Sequence, residues 1–431
     1  MNQNKQILHA VKELPDIRVS DEFKDLKVLG LVADKSACGY YRIILPLHYL
    51  KMHGAQITTT SVQSMADFMN HDIILAPRQH SPDVLEVIRM LGWSSKRIFF
   101  EIDDDLSSVL PTSPAFVSYH QGSPELATMS KIIKACDGLT CTTPEIAKWY
   151  SQYNQNVSIL ENYIDFGCRD WGCDVSWHFG APKIAPRKLT KPEKWQGKTV
   201  ISWSGGSTHQ EDLMEIGPDI NKILRERDDV VFAMYSSESM MHEMIQRFNW
   251  PVDKVDFIPP RHFMDHPNGL EGIDIGLAPI MPCQFNMCKS HLKLIEGMAY
   301  GAAMIGSNFG PYTRFERRHP GAVLTVGNGG KHAHKSWYSA IMSLINDPEK
   351  LQNMQRAGRQ LIIDEYSLEQ NFRLWPLAWN HLAKQSDAGL AGPPSKPRET
   401  SVYKSYGKIG RNDKCFCGSG LKKKVCCGEC S

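Results

Sequence analysis

Several things are missing from this 431-residue sequence, and each absence removes a class of protein. No run of about 18 apolar residues occurs, so no transmembrane segment is expected. The opening residues, MNQNKQILHAVKELPD, lack the apolar core of a signal peptide, which makes the cytoplasm the expected location. Charge of one sign is not in excess: the formal net charge is +2, and no global field selects a polyanionic partner. No internal repeat is evident. Hydrophobic content of 42% and charged content of 22% fit a soluble globular chain, and the length suits two or three domains.

Cysteine is sparse along most of the chain and crowded at its end. Seven of the twelve are scattered from Cys38 to Cys288, where small buried side chains are the expected reading. Cys168 and Cys173 have no second pair nearby, which favours packing over metal binding. The other five fall within the last 17 residues.

What is present is alternation. DLKVLGLVAD, AQITTTSV, HDIILAP, KRIFFEIDDDL, LTCTT and VSILENYID read as strands, with helix-like segments such as PDVLEVIRMLGW and ELATMSKIIKACDG between them. After a Pro-, Gly- and Trp-containing interval the pattern restarts with KTVISWSGG, DVVFAMYSS, VDFIPP, IDIGLAPI, AAMIGSN and AVLTV. Strands alternating with helices imply α/β architecture with parallel sheets covered on both faces. The expected organisation is a first doubly wound, Rossmann-like domain over residues 1–165, a linker over 166–197 and a second such domain over 198–365. A helix over 366–384 would cross back to the first domain. A flexible linker, 385–408, and a cysteine-rich tail, 409–431, follow.

Two stretches of the second domain carry chemistry. In VISWSGGSTHQEDL an apolar run stops at Ser204-Gly205-Gly206-Ser207. Glycines at the carboxyl end of a parallel strand let backbone N–H groups approach a ligand, and the next helix N-terminus favours an anion. Ser207, Thr208 and His209 add polar groups, so a diphosphate fits. The loop matches neither the Walker pattern nor GxGxxG, and an unliganded tight turn fits equally. In GLAPIMPCQFNMCKSHLKLIEGMAYGAAMIGS a helix is expected from about Ser290 to Tyr300, ended by Gly301. Ser290, Lys293 and Glu296 recur every third residue and share one face. Lys293 can neutralise phosphate, and Glu296 can accept from a vicinal diol. The same spacing would also serve a solvated ion pair.

Taken together and in this order, the two stretches resemble the donor half of GT-B glycosyltransferases, and in particular the retaining enzymes of glycosyltransferase family four. GGSTHQEDL is similar to their diphosphate loop, and CKSHLKLIEGMAYGAAMIGS to their segment ending in a glutamate-alanine-methionine-alanine helix. The family's second glutamate, which holds the nucleotide ribose, falls on Glu296. Its first falls on Cys288, a departure that passes the sugar-holding task to Lys289, Ser290 or Lys293. ACGYYRIILPLHYLKMHG resembles the glycine loop and first helix of the acceptor domain, placing Gly39 and Arg42 across the cleft from the donor phosphates. CDGLTCTTPEIAKWY and VSILENYID resemble the elements that close that domain. The resemblance covers roughly residues 25–384. It implies a nucleotide-diphosphate sugar as donor, retention, no catalytic metal, and departure of the diphosphate assisted by the Gly205 and Gly206 amides, His209 and Lys293.

RIFFEIDDDL offers a competing reading. Asp103 to Asp105 follow a strand, and such a run can bind a divalent cation in a metal-dependent GT-A-like transferase. On the GT-B reading Asp103 and Asp104 face the cleft in an acceptor or catalytic role. Acids that merely stabilise a helix N-terminus are the plain alternative.

The tail IGRNDKCFCGSGLKKKVCCGEC brings Cys415, Cys417, Cys426 and Cys427 close enough for tetrahedral zinc, on a piece too small to fold without a staple. It closely resembles the SEC-C motif, a zinc-binding tail found at the end of the SecA translocation ATPase. From Ala391 onward there are nine Lys/Arg and three Asp/Glu, a local balance of +6 against −4 for the rest. Such a tail suits docking to an acidic protein or a nucleic acid, or simply solvation. The expected activity is therefore glycosyl transfer to a glycan, a lipid-linked sugar, a protein or a modified nucleic-acid base. A non-catalytic sugar-nucleotide-binding protein on the same fold is the alternative that Cys288 favours.

Overall fold

A computed structural model describes residues 20–389, apart from 34–36, 62–63, 93, 170, 172, 179–180, 187–190, 207–208 and 328–333. The cysteine-rich tail, with Cys415, Cys417, Cys426 and Cys427, lies outside the described residues, as do Ser207 and Thr208.

The first set of apolar runs forms β1 (Lys27–Leu31), β2 (Gln56–Thr60), β3 (Ile73–Pro77), β4 (Arg97–Ile102), β5 (Gly138–Cys141) and β6 (Val157–Ile159), in the order β2-β1-β3-β4-β5-β6. An antiparallel pair, β7 (Cys173–His178) and β8 (Ala181–Pro186), follows within the interval that showed no periodicity. The second sheet holds β9 (Thr199–Ser204), β10 (Val230–Tyr235), β11 (Val255–Ile258), β12 (Ile275–Ala278), β13 (Ala303–Ser307) and β14 (Val323–Val326), ordered β11-β10-β9-β12-β13-β14. Every pairing in both six-stranded sheets is parallel. The chain is thus α/β with two doubly wound Rossmann-like sheets, as expected. Two separate parallel sheets are the two-domain arrangement, not the single-domain fold that the GT-A-like alternative required.

Local chemistry explains how the helices start. Ser81, Ser123 and Thr143 each precede a proline, and each side chain accepts from a backbone N–H of the first turn, at Asp83, Leu126 and Ile146. A hydroxyl cap followed by proline at the first helical position satisfies one orphan donor and presets φ. At the other end, Gly301 takes φ 95° and closes the helix Leu292–Tyr300 before β13.

That helix lies very close to its sheet. A Cβ on Gly276 or Gly297 would come within 2.4 or 2.2 Å of Met304 Sδ. Glycine at both positions lets the helix settle over β12 and β13, which sets how far Lys293 and Glu296 reach.

In each sheet the winding reverses beside the first strand, between β1 and β3 and between β9 and β12. Loops leaving the carboxyl ends of those strands face one another across a crevice, where ligands of open α/β sheets bind.

One core cluster runs through both halves, joining Tyr40, Tyr41 and Phe166 to Leu294 and Tyr366. Within it Asp165 and Arg169 form a fully buried ion pair. Arg169 Nε donates to both carboxylate oxygens at 2.9 Å, while Tyr40 Oη and Trp171 Nε1 donate at 2.8 and 3.2 Å. The guanidinium lies 4.7–4.9 Å from the ring centres of Tyr40, Tyr41 and Trp171. The last helix, Leu374–Asp387, returns to the first sheet, where Asn156 Nδ2 donates to the Leu382 carbonyl at 2.6 Å.

Replacing Arg169 by alanine strands Asp165 as a buried charge. The expected loss is about 3–5 kcal/mol, read as a lowered urea midpoint. A loss under about 1 kcal/mol would mean that water already shares the site and that the pair does not hold the halves.

Candidate functional site

The loop after β9 behaves differently at its two glycines. Gly205 N–H donates to the Tyr235 carbonyl at 3.1 Å, continuing the β9–β10 ladder. Its amide is therefore not available to a diphosphate, which corrects the expectation for that residue. A Cβ there would also strike the Trp203 ring at 2.6 Å. Gly206 has open space within 4 Å of its would-be Cβ, and its carbonyl accepts from His209 N–H at 3.0 Å. Among the described residues, close backbone approach is left to Gly206.

His209 precedes the short helix Gln210–Met214. Its Nδ1 lies 2.8 Å from Asp212 Oδ2, and its Nε2 lies 3.4 Å from Lys289 Nζ. Asp212 is buried and held from the far side, its Oδ1 accepting from Met281 N–H at 2.8 Å. Burial and the Lys293 ammonium, aided by Lys289, outweigh the Asp212 hydrogen bond and hold the imidazole down to about 4.

Lys293 is the exceptional group. Its Nζ is buried without a hydrogen-bond partner among the described residues, 5.3 Å from the Trp203 ring centre. Burial lowers it to about 8, with Lys289 adding to the effect. It lines a small pocket together with Ser202, Ser204, Gly276, Glu296 and Gly297.

Glu296 stands one turn further along. Its Oε1 accepts from Tyr41 Oη at 2.7 Å and lies 3.6 Å from His266 Nε2. Tyr41 Oη in turn accepts from Arg169 Nη2 at 2.7 Å. Burial pushes the carboxyl up, but His266, Tyr41 and Arg169 together hold it below the ordinary range.

Two neighbours in this segment face the other half instead. Ser290 Oγ accepts from Asn162 Nδ2 at 3.0 Å. Cys288 is fully buried, its carbonyl accepting from Thr143 Oγ1 at 2.9 Å and its thiol turned to Asp105 at 3.9 Å. The position that departs from the family pattern thus packs between the halves. Lys289 and Lys293 remain as the polar groups of the segment that reach the loop after β9.

On the first sheet, Arg42 is neither exposed nor free to swing. It is buried, with Nε donating to Glu101 Oε1 at 2.7 Å and Nη1 to Asn162 Oδ1 at 3.0 Å. Its Nη2 is buried without a hydrogen-bond partner among the described residues. Gly39 and Arg42 line a second, smaller pocket with Arg78, Glu101 and Asp103. Arg78, with φ 47°, leaves β3 and fills the space between the acids. Its Nε donates to Asp103 Oδ1 at 2.7 Å and its Nη2 to Asp104 Oδ2 at 3.0 Å, with Cys38 Sγ at 3.2 Å. Cys38, Asp103 and Asp104 are close enough together to suggest a cation site, but a guanidinium already supplies that charge. Burial raises both carboxyls; Arg78 overcomes it at Asp103, whereas Asp104, beside Asp103, stays above its ordinary value. Asp105 caps a turn, accepting from Ser107 N–H at 3.2 Å.

The sequence reasoning missed Tyr41, Arg78, Arg169, Asp212 and His266. Asp212 had a local signal, three residues after His209. Arg78 had one too, at a strand end beside the reversal of winding. Tyr41 and Arg169, 128 residues apart, had none.

No family model matches the chain. A 35-residue stretch is 51% identical to the protein translocase subunit SecA of Treponema denticola, covering 8% of this chain and 4% of that protein. It is a match to the SEC-C region. Among solved structures, a glycosyltransferase from Rickettsia africae superposes with a TM-score of 0.56 at 15% identity, over 83% of this chain and 99% of that one. The catalytic domain of starch synthase IV from Arabidopsis thaliana, bound to ADP and acarbose, gives 0.55 at 10% identity, again over 83% and 99%. At such identities the likeness is one of fold, and that fold is the two-domain GT-B architecture.

An unpaired buried ammonium is a cost to folding. Lys293→Met is expected to raise stability by about 1–3 kcal/mol at neutral pH. The native lysine titrates near 8 against 10.5 for the free side chain. The penalty is therefore complete below pH 8 and fades as pH rises toward 10.5, and the gain must shrink across that window. Thermal unfolding at pH 7 and pH 10 checks both size and direction. No gain at pH 7 would mean that Lys293 is paired or hydrated in solution.

Proposed function

We propose that this chain is a glycosyltransferase that uses a nucleotide-diphosphate sugar and seats the diphosphate at Gly206, His209, Lys289 and Lys293. The observation that carries this is the buried Lys293 ammonium, without a hydrogen-bond partner among the described residues, set beside a glycine loop where the winding of the second sheet reverses. Such a group is costly unless an anion uses it. Glu296 is the acceptor for the ribose diol. The starch synthase domain with a similar fold was solved with ADP bound, which supports a nucleotide-linked donor for this chain.

Transfer with retention and without a catalytic metal belongs to the same proposal. Stabilising the departing diphosphate is the main electrostatic task, and two lysines and an imidazole supply it. Asp103, Asp104 and Arg42 form the opposite wall, on the acceptor side. The acceptor class is a glycan, a lipid-linked sugar, a protein or a modified nucleic-acid base. A zinc ion held by Cys415, Cys417, Cys426 and Cys427, on a basic tail that docks an acidic protein or nucleic acid, completes the reading. Cysteine spacing and the SecA match support the zinc part.

Two measurements test these statements. Thermal shift of the full chain against a panel of nucleotide-diphosphate sugars without added metal should give one hit, stabilising by about 2.7 kcal/mol at a hundredfold excess over Kd. The Glu296→Ala variant should lose most of the shift. A panel with no hit, with or without manganese, would sink the donor assignment. Metal analysis should find one zinc per chain, lost on Cys417→Ser with Cys426→Ser; a zinc-free wild type would remove the tail assignment.

A further inference from the structure

We propose that His209 is a proton-uptake group of the diphosphate seat: neutral in the free protein, it gains a proton at Nε2 when a nucleotide-diphosphate sugar binds, with Asp212 as its positioning residue. This rests on the donor assignment above and adds to it a charge state for the bound complex.

The tautomer follows from geometry. Asp212 Oδ2 lies 2.8 Å from His209 Nδ1. The Asp212 carboxylate is fixed through its other oxygen by Met281 N–H at 2.8 Å and Asn286 Nδ2 at 3.4 Å. A carboxylate so placed accepts, so Nδ1 carries the hydrogen and Nε2 carries the lone pair. That lone pair faces Lys289 Nζ at 3.4 Å.

The charges around the ring decide the rest. Asp212 comes from the helix that His209 begins, Lys289 from the loop before the helix Leu292–Tyr300, and Lys293 from that helix. Two ammonium groups oppose one carboxylate in a buried setting, and both lysines depress the imidazole. A bound diphosphate brings two negative charges to the same place and reverses the balance. A third cation then becomes favourable. Solvent supplies a proton to Nε2, and the new N–H donates to a phosphate oxygen. No covalent bond of the ligand changes. Asp212 keeps Nδ1–H engaged in both states, so the ring does not turn when its charge changes.

The sign of the linkage follows. Binding that takes up a proton weakens as pH rises through the bound-state pKa. Near pH 6, Lys293, which titrates at about 8, is already charged and contributes almost nothing. A diphosphate diester has no oxygen that titrates there, unlike a terminal phosphate, whose second ionisation lies near 6.

Titration calorimetry of the full chain near pH 6, in cacodylate and in imidazole buffers, measures the proton directly. UDP-glucose, ADP-glucose and GDP-mannose are the probes. The wild type should take up about 0.5–1 proton per ligand and bind more weakly at pH 8. His209→Gln should take up almost none and bind about tenfold more weakly. Asp212→Asn should take up less than the wild type, because the imidazolium loses its carboxylate. If His209→Gln binds too weakly to measure, Asp212→Asn decides, and uptake equal to wild type overturns the proposal. Wild-type uptake below about 0.2 proton, or undiminished uptake in His209→Gln, also overturns it. Binding without uptake defeats this inference alone, whereas absence of binding by all three sugars defeats the donor assignment beneath it.

Discussion

The buried Asp165–Arg169 pair is the constraint around which the two halves are arranged. Removing two charges from water is expensive, and their mutual attraction offsets it only when every remaining donor and acceptor is used. Here nearly all are. Asp165 accepts from Arg169, Tyr40 and Trp171, while Arg169 also donates to the Phe263 carbonyl and to Tyr41. Tyr40 and Tyr41 belong to the first helical segment, Phe263 to the second half, and the ion pair to the chain between them. A shift of either half breaks a hydrogen bond to a buried charge, so the pair fixes an orientation more than it adds stability.

From that anchor the site is reached in two steps. Arg169 orients Tyr41, and Tyr41 orients Glu296. The crevice is then polarised by what each sheet contributes. The first sheet presents Asp103 and Asp104 with Arg78 between them, and the second presents Lys289, Lys293 and His209. Arg78 matters because it spends the acids locally. Without it Asp104 would have Lys289 as its compensating cation, and that ammonium group would be less free for a ligand. Lys289 already acts on Asp104 from across the crevice, which shows how near the two systems come.

The strands were readable because strands buried on both faces are continuous apolar runs. VVFAMY has no exposed position at all. Lys293 and Glu296 were readable because one helix face repeats every three or four residues. What could not be read were contacts whose partners are far apart in sequence. Arg42 was expected across the cleft from the donor phosphates, but nothing local announced Glu101, 59 residues away, as the partner that fixes its Nε. Gly205 looked like a ligand-facing amide because nothing in VISWSGG says that β10 continues to pair beyond Ser204. The interval 166–197 read as a linker because Pro and Gly interrupt its pattern. Yet it holds a hairpin, and Arg169, the anchoring cation, lies in it.

Glu296 carries two tasks that might be thought exclusive, holding Tyr41 of the other half and receiving a diol. Acceptor geometry removes the conflict. A carboxylate has about four lone-pair sites, and Tyr41 uses one of them, on Oε1. His266, at 3.6 Å from the same oxygen, is beyond an ordinary hydrogen bond. A diol needs two sites, and these can come from Oε2 alone or from both oxygens. Tyr41 therefore stays in place when a diol arrives, and so does Arg169 behind it. The hydroxyl that ties the halves together also favours the charged carboxylate, because a hydrogen bond to the ionised form holds its proton off. The contact that joins Tyr41 of one half to Glu296 of the other thus works with His266 to keep the acceptor ionised.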